Sequence, residues 1–75
     1  MDSEVFKLLA AGLCMGLGAI GPGVGEGFIG GKALEAIGRN PEVAGKVTPL
    51  MFVAMAVTES TGIYSLVIAL IILFS

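Results

Sequence analysis

The chain has no histidine and only one cysteine, Cys14. A lone cysteine excludes a disulfide framework, and the two shortages together exclude zinc sites of the usual kind and any Cys-His or Ser-His catalytic pair. Set in an apolar run, Cys14 reads as a small hydrophobe and reveals no redox compartment. Charge is scarce as well: six acids and four bases make up 13% of the residues, for a net charge of −2. They are spread along the sequence, so no basic patch is offered to nucleic acid. Length is short too, because 75 residues bury too small a share of their surface to be comfortably stable alone in water.

What is present points to lipid as the solvent. Hydrophobic residues make up 56% of the chain and the mean hydropathy is +1.01, far outside the soluble range. From Leu8 to Gly31 the chain runs 24 residues with one charge, Glu26, and from Val47 to Ser75 it runs 29 residues with one charge, Glu59. Each run exceeds the roughly 20 residues a helix needs to cross a bilayer. Between them lie Lys32, Glu35, Arg39, Glu42 and Lys46, with the breaker Asn40-Pro41 near the centre, which is the polar turn of a hairpin. The sequence therefore predicts an all-α membrane protein, a single antiparallel hairpin of two transmembrane helices over residues 1–75: helix 1 over about 4–38, a turn over 39–43 and helix 2 over 44–74. Pro49 falls early enough in helix 2 to be tolerated. Lys7 precedes an apolar stretch in the manner of a signal peptide, but Asp2 and Glu4 spoil the basic lead and the run is too long, so the segment reads as mature protein. Lys32, Arg39 and Lys46 flank the turn, which places the loop in the cytoplasm and both ends on the opposite side.

Nine glycines fall between Gly12 and Gly31. In an exposed soluble helix each would cost about 1 kcal/mol relative to alanine. In lipid, small residues let helices approach closely. At about 100° per residue, Gly12, Gly16, Ala19, Gly23, Gly27 and Gly30 fall together, while Gly18, Gly21 and Gly25 fall on roughly the opposite side. Two such stripes suggest a neighbour on each side, as in a closed ring of identical copies; a glycine-rich helix in a dimer or bundle is the plainer alternative. Pro22 removes one backbone hydrogen bond, which close packing can re-satisfy. The spacing G-x-G-x-x-G occurs at Gly16 to Gly21 and at Gly25 to Gly30, but without a preceding strand and a βαβ unit it is no dinucleotide fingerprint.

The two intramembrane carboxylates ask for a function or a partner, since a charge in hydrocarbon costs several kcal/mol. Glu26 and Glu59 are equidistant from Glu42 and Val43, just past the breaker, so an antiparallel hairpin sets them at one depth, about 25 Å from the turn. Adjacent carboxylates in low dielectric cannot both ionise cheaply: one keeps a proton, or a cation sits between them. Glu26 facing a polar interface, or bonding a neighbouring helix, is the alternative for that residue. Around Glu59 stand Thr58, Ser60, Thr61 and Tyr64 in a helix otherwise made of Val, Ile, Leu, Ala and Met. Sodium wants several oxygen ligands, whereas a carboxyl proton wants one acceptor. Ser60 adjoins Glu59, the Tyr64 hydroxyl can orient a carboxylate across a neighbouring helix, and Val57 offers a backbone carbonyl if the Ser60 and Thr61 side chains leave it free. That set can form a sodium shell, and nothing in the sequence excludes proton carriage by the same group.

The run Gly21-Pro22-Gly23-Val24-Gly25-Glu26-Gly27, the turn Arg39-Asn40-Pro41-Glu42 and the run Thr58-Glu59-Ser60-Thr61-Gly62-Ile63-Tyr64-Ser65 together resemble the c-subunit, the rotor-ring proteolipid, of bacterial F-type rotary ATP synthases. The resemblance spans nearly the whole chain. It implies a non-catalytic, multi-pass subunit of the bacterial inner membrane, whose identical copies form a ring in contact with lipid. Ring rotation past the stator a-subunit would couple ion flow through Glu59 to ATP synthesis or hydrolysis, and Arg39, Asn40 and Pro41 would grip the central-stalk subunits gamma and epsilon. Gly16, Gly18, Gly21, Gly23, Gly25 and Gly27 would be the helix-packing positions. No cofactor is implied beyond the transported ion.

The resemblance also bears on which ion. Sodium-coupled members carry Glu-Ser-Thr followed by a tyrosine, matched here by Glu59, Ser60, Thr61 and Tyr64. It makes the Val57 carbonyl and the Ser60 hydroxyl ligands, Thr61 a water holder and Glu26 the first-helix ligand of the sodium ion. Glu26 departs from the commoner glutamine and is similar to a two-carboxylate subset; Asn40 also stands where glutamine is common. The alternatives are a proton-coupled ring of the same family and, from a different class, a small multidrug-type antiporter or a pore-forming hairpin.

Overall fold

The computed structural model describes residues 2–75 and contains three α-helices and one 3₁₀ turn. Helix α1 spans Ser3–Gly18, α2 spans Ile20–Arg39, a turn of 3₁₀ helix covers Pro41–Val43, and α3 spans Ala44–Phe74. Asp2 caps α1, its carboxylate accepting a hydrogen bond from the Val5 N–H at 2.9 Å, which satisfies one of the unpaired amides of the first turn. At the other end of the hairpin the Asn40 side chain accepts from the Glu42 N–H at 3.3 Å. Pro41 sits at the start of the 3₁₀ turn, where no N–H is needed and a fixed φ helps.

The first span is one rod in direction but two helices in hydrogen bonding. Ala19 stays in the right-handed helical region, with its N–H bonded to the Met15 carbonyl at 3.0 Å and its carbonyl accepting from the Gly23 N–H at 2.9 Å. The interruption is the work of Pro22, which has no N–H to offer the Gly18 carbonyl and whose ring crowds it. A continuous helix over 4–38 thus gives way to two segments meeting at Ala19. Pro49, by contrast, lies inside an unbroken α3, close enough to its start that the lost bond falls near water.

The two spans pack antiparallel, and contacts along their length fix the register. The Lys7 ammonium donates to the Ser75 carbonyl at 2.5 Å. The Cys14 thiol donates to the Ser65 carbonyl at 3.4 Å. Three glycines touch α3 closely: a Cβ on Gly18 would stand 2.5 Å from the Ser65 Cβ, one on Gly25 2.8 Å from the Thr58 Cγ2, and one on Gly30 3.1 Å from the Met55 Cε. As one span climbs, the other descends residue for residue, and on that register Glu26 falls opposite Glu59. The hairpin is a thin rod of 58 × 16 × 10 Å, longer than the roughly 30 Å hydrocarbon of a bilayer, so its ends project beyond the lipid. Among the described residues its buried apolar side chains are Ala11, Pro22, Ala33 and Ala69, and large residues such as Leu17, Val24, Phe28, Phe52 and Ile71 point outward. That is an inside-out surface suited to lipid and to neighbouring helices.

The glycines divide by what they face. Gly18 and Gly25 lie against the chain's own second helix, while Gly12, Gly16, Gly21, Gly23 and Gly27 have open space beside them. Gly21 therefore parts from Gly18 and Gly25, and Gly30 parts from its stripe because the flexible Met55 side chain reaches it. One small-residue face is consumed within the hairpin and one remains uncovered. A closed ring thus needs only that one glycine face toward a neighbour.

Candidate intramembrane carboxylate site

Glu59 stands midway along α3, and Glu26 in the second half of the first span. Both are half-buried. The close contacts of Gly25 with Thr58 and of Gly30 with Met55 set the two acids at the same level. On an ideal wheel each lies some 60–80° from the centre of the helix–helix contact, on the same side of the hairpin. The pair therefore meets at one edge of the seam, where the chain's own side chains do not seal it off. The open face with Gly12, Gly16, Gly23 and Gly27 adjoins the Glu26 edge. Two carboxyls set side by side in a low-dielectric setting can share one proton or hold one cation, because two bare negative charges would repel strongly there.

Around Glu59 the hydroxyls are bound into their own helix. Ser60 donates to the Val57 carbonyl at 2.7 Å, Thr61 to the Thr58 carbonyl at 3.3 Å, and Ser65 to the Thr61 carbonyl at 3.2 Å. These back-bonds spare the hydroxyls from lying unpaired in lipid. They also mean that the Val57 carbonyl, considered from sequence as a free ligand, already accepts a hydroxyl proton. Val57, Ser60, Thr61 and Tyr64 recur at the spacing of one helix face, and that face looks outward: Val57 is 69% and Tyr64 67% exposed. Within one copy the register sets Glu26 level with Glu59, and the other four candidate ligands point away from that edge.

One neighbour of Glu59 carried no assigned role in the sequence. Gly62 is buried, and a Cβ built on it would lie 3.3 Å from the Glu59 Cδ and both carboxyl oxygens. The clue was a glycine three residues after an intramembrane acid, since residues three apart on a helix are neighbours.

The turn residues form a separate group at the end of the rod. Arg39 pairs with Glu35 at 2.9 Å, and Lys32 lies 3.8 Å from the other oxygen of the same carboxylate. Lys32 also sits over the Phe28 ring at 5.6 Å, the posture of a cation snorkelling from an apolar helix toward water. An open cavity of about 400 Å³ is lined by Lys32, Glu35, Ala36, Arg39, Asn40 and Val43. It lies far from the two acids. Arg39, Asn40 and Pro41 are all exposed at the tip. Asparagine at 40 has a structural reason: its short amide reaches the Glu42 N–H two residues on, as an Asx turn requires.

Comparison with known proteins agrees across both spans. The family of the ATP synthase c-subunit matches residues 9–72. Similar proteins include the ATP synthase c-subunit of Petrotoga mobilis, 66% identical over 68 residues, covering 91% of this chain and 71% of that one. The c-subunit of Thermotoga maritima is 61% identical over 67 residues, covering 89% of this chain and 79% of the relative. That of Dehalococcoides mccartyi is 54% identical over 74 residues, covering 99% and 97%. A match through both spans and the turn displaces the antiporter and the pore-forming hairpin.

Proposed function

The chain belongs to the ATP synthase c-subunit family, and from that premise we propose that Glu59 takes up and releases a sodium ion as a ring of these chains turns. As a family member it is a non-catalytic membrane subunit of an ion-translocating rotor ring. The proposal concerns the ion and the residues that hold it.

The observation that carries it is the register that sets Glu26 and Glu59 at one level and on one edge of the hairpin, with the second helix holding the oxygens of Val57, Ser60, Thr61 and Tyr64 on its outward face. Hard cations take several oxygens. One copy supplies the two carboxyls, and the outward face of the next supplies carbonyl and hydroxyl groups, so the shell closes between copies. With sodium seated, the second carboxyl of the pair retains a proton, which leaves the loaded site neutral and able to face lipid. An arginine of the stator a-subunit draws the Glu59 carboxylate open as it passes. Arg39, Asn40 and Pro41 at the exposed tip engage the central stalk, subunits gamma and epsilon. With bases at Lys32, Arg39 and Lys46, that tip lies in the cytoplasm of a bacterial inner membrane.

The test is the rate at which a hydrophobic carbodiimide modifies Glu59 in assembled rings, measured across pH with and without sodium. Sodium binding slows the reaction by competing for the carboxyl; labelling indifferent to sodium at every pH removes the sodium reading. The second reading, proton coupling, is favoured by the 2.7 Å bond from Ser60 to the Val57 carbonyl. That bond occupies two intended ligands, and a carboxyl pair needs no others to hold a proton.

A further inference from the structure

We infer that Gly62 is a positioning residue for the ion-binding carboxyl: the absence of a side chain at 62 is what lets Glu59 lie along its own helix and turn toward Glu26. The inference deepens the reading of Glu59 as the ion-binding group and rests on it. Glu59 and Gly62 are three residues apart on one unbroken helix, and side chains at that spacing lie one above the other. Any residue but glycine would place its Cβ 3.3 Å from the Glu59 Cδ, Oε1 and Oε2 at once. Contact at that distance with one atom could be relieved by a small torsion. Contact with all three carboxyl atoms moves the group as a unit, by a few tenths of an ångström at the least, away from position 62.

The seam is narrow at this level. Gly25 lies against Thr58 and Gly62 itself is buried, so the half-buried carboxyl finds more room outside the seam than within it. It moves outward, away from Glu26 and toward lipid. A glycine is also costly in a helix interior, by about 1 kcal/mol relative to alanine. Nothing about its backbone demands it, since no glycine among the described residues has positive φ. The space it leaves to the carboxyl is therefore its use.

The experiment compares Gly62→Ala with Gly30→Ala in assembled rings. Gly30 also lies on the inner face, but its added Cβ meets only the mobile end of Met55, at 3.1 Å. Two quantities are read, the carbodiimide labelling rate of Glu59 without sodium and the sodium concentration that halves it. In Gly62→Ala the sodium-free rate rises severalfold as the carboxyl is pushed into reach of the reagent, and the half-protecting concentration rises about tenfold. Gly30→Ala leaves both within twofold of wild type. Equal behaviour of the two variants overturns the inference and shows ordinary packing. If wild-type rings show no sodium protection, the sodium reading falls while the sodium-free rates still judge Gly62. Where Gly62→Ala lowers ring yield, the double variant Glu59→Ala/Gly62→Ala decides. Yield restored to that of Glu59→Ala places the clash on the Glu59 side chain, and yield left low overturns the inference.

Discussion

At the residue scale the two acids have different weights. Glu59→Gln keeps shape and removes the charge that an ion must meet, so rings are expected to assemble while ion-driven ATP synthesis in reconstituted vesicles falls to background. Glu26→Gln supplies an amide acceptor in place of the second carboxyl. Synthesis is expected to persist, and sodium protection of Glu59 is expected to lose the pH dependence contributed by the pair. Ser60→Ala separates the two ion readings. It deletes the donor to the Val57 carbonyl, and if that hydroxyl is a sodium ligand the half-protecting sodium concentration rises about tenfold, equivalent to about 1.4 kcal/mol. A proton carrier would be indifferent to the change. The depth match of Glu26 and Glu59 was legible in the sequence because it depends only on distance from the turn. The outward facing of Ser60 and Tyr64 was legible too, in the spacing 57, 60, 61 and 64, but the polarity of the run drew all of them toward Glu59. Of Gly62 the sequence shows only the spacing from Glu59, because the contact itself depends on how the Glu59 side chain lies.

At the scale of elements, the hairpin is held by close approach more than by large side chains. Gly18→Ala would set its Cβ 2.5 Å from that of Ser65, and Gly25→Ala 2.8 Å from the Thr58 methyl. Each is expected to destabilise the hairpin by about 1–3 kcal/mol, the usual cost of overpacking, measured by denaturation in mixed detergent micelles. Gly12→Ala, with nothing near it in the chain, should leave the isolated hairpin unchanged. Any effect it has on ring yield then reports contact between copies. The spans and the turn could be read from hydropathy and Asn40-Pro41, for the bilayer imposes length and the breaker imposes reversal. The division at Ala19 could not be placed as surely. Pro22 announces a lost hydrogen bond, but membrane helices often absorb one. Pro22→Ala restores a donor for the Gly18 carbonyl and is expected to slow amide exchange around residues 18–22.

At the scale of the whole molecule, the rod presents two separable working regions, the paired acids midway along and the tip at Arg39, Asn40 and Pro41. The ion pair of Arg39 with Glu35 is exposed, and pairs of that kind contribute at most about 1 kcal/mol. Arg39→Ala should therefore leave ring assembly intact. If the tip grips the stalk, the same variant uncouples the enzyme: ATP hydrolysis continues while ion pumping is lost. The alanines enclosed by the hairpin, Ala11, Ala33 and Ala69, carry a different consequence. With so little hidden inside one chain, most of what holds the folded form together must be shared between chains, so its persistence is governed by mass action. Persistence then depends on the ratio of protein to lipid. Bilayers progressively enriched in lipid should release single hairpins that denature at lower detergent strength, whereas a self-sufficient fold would keep one midpoint throughout.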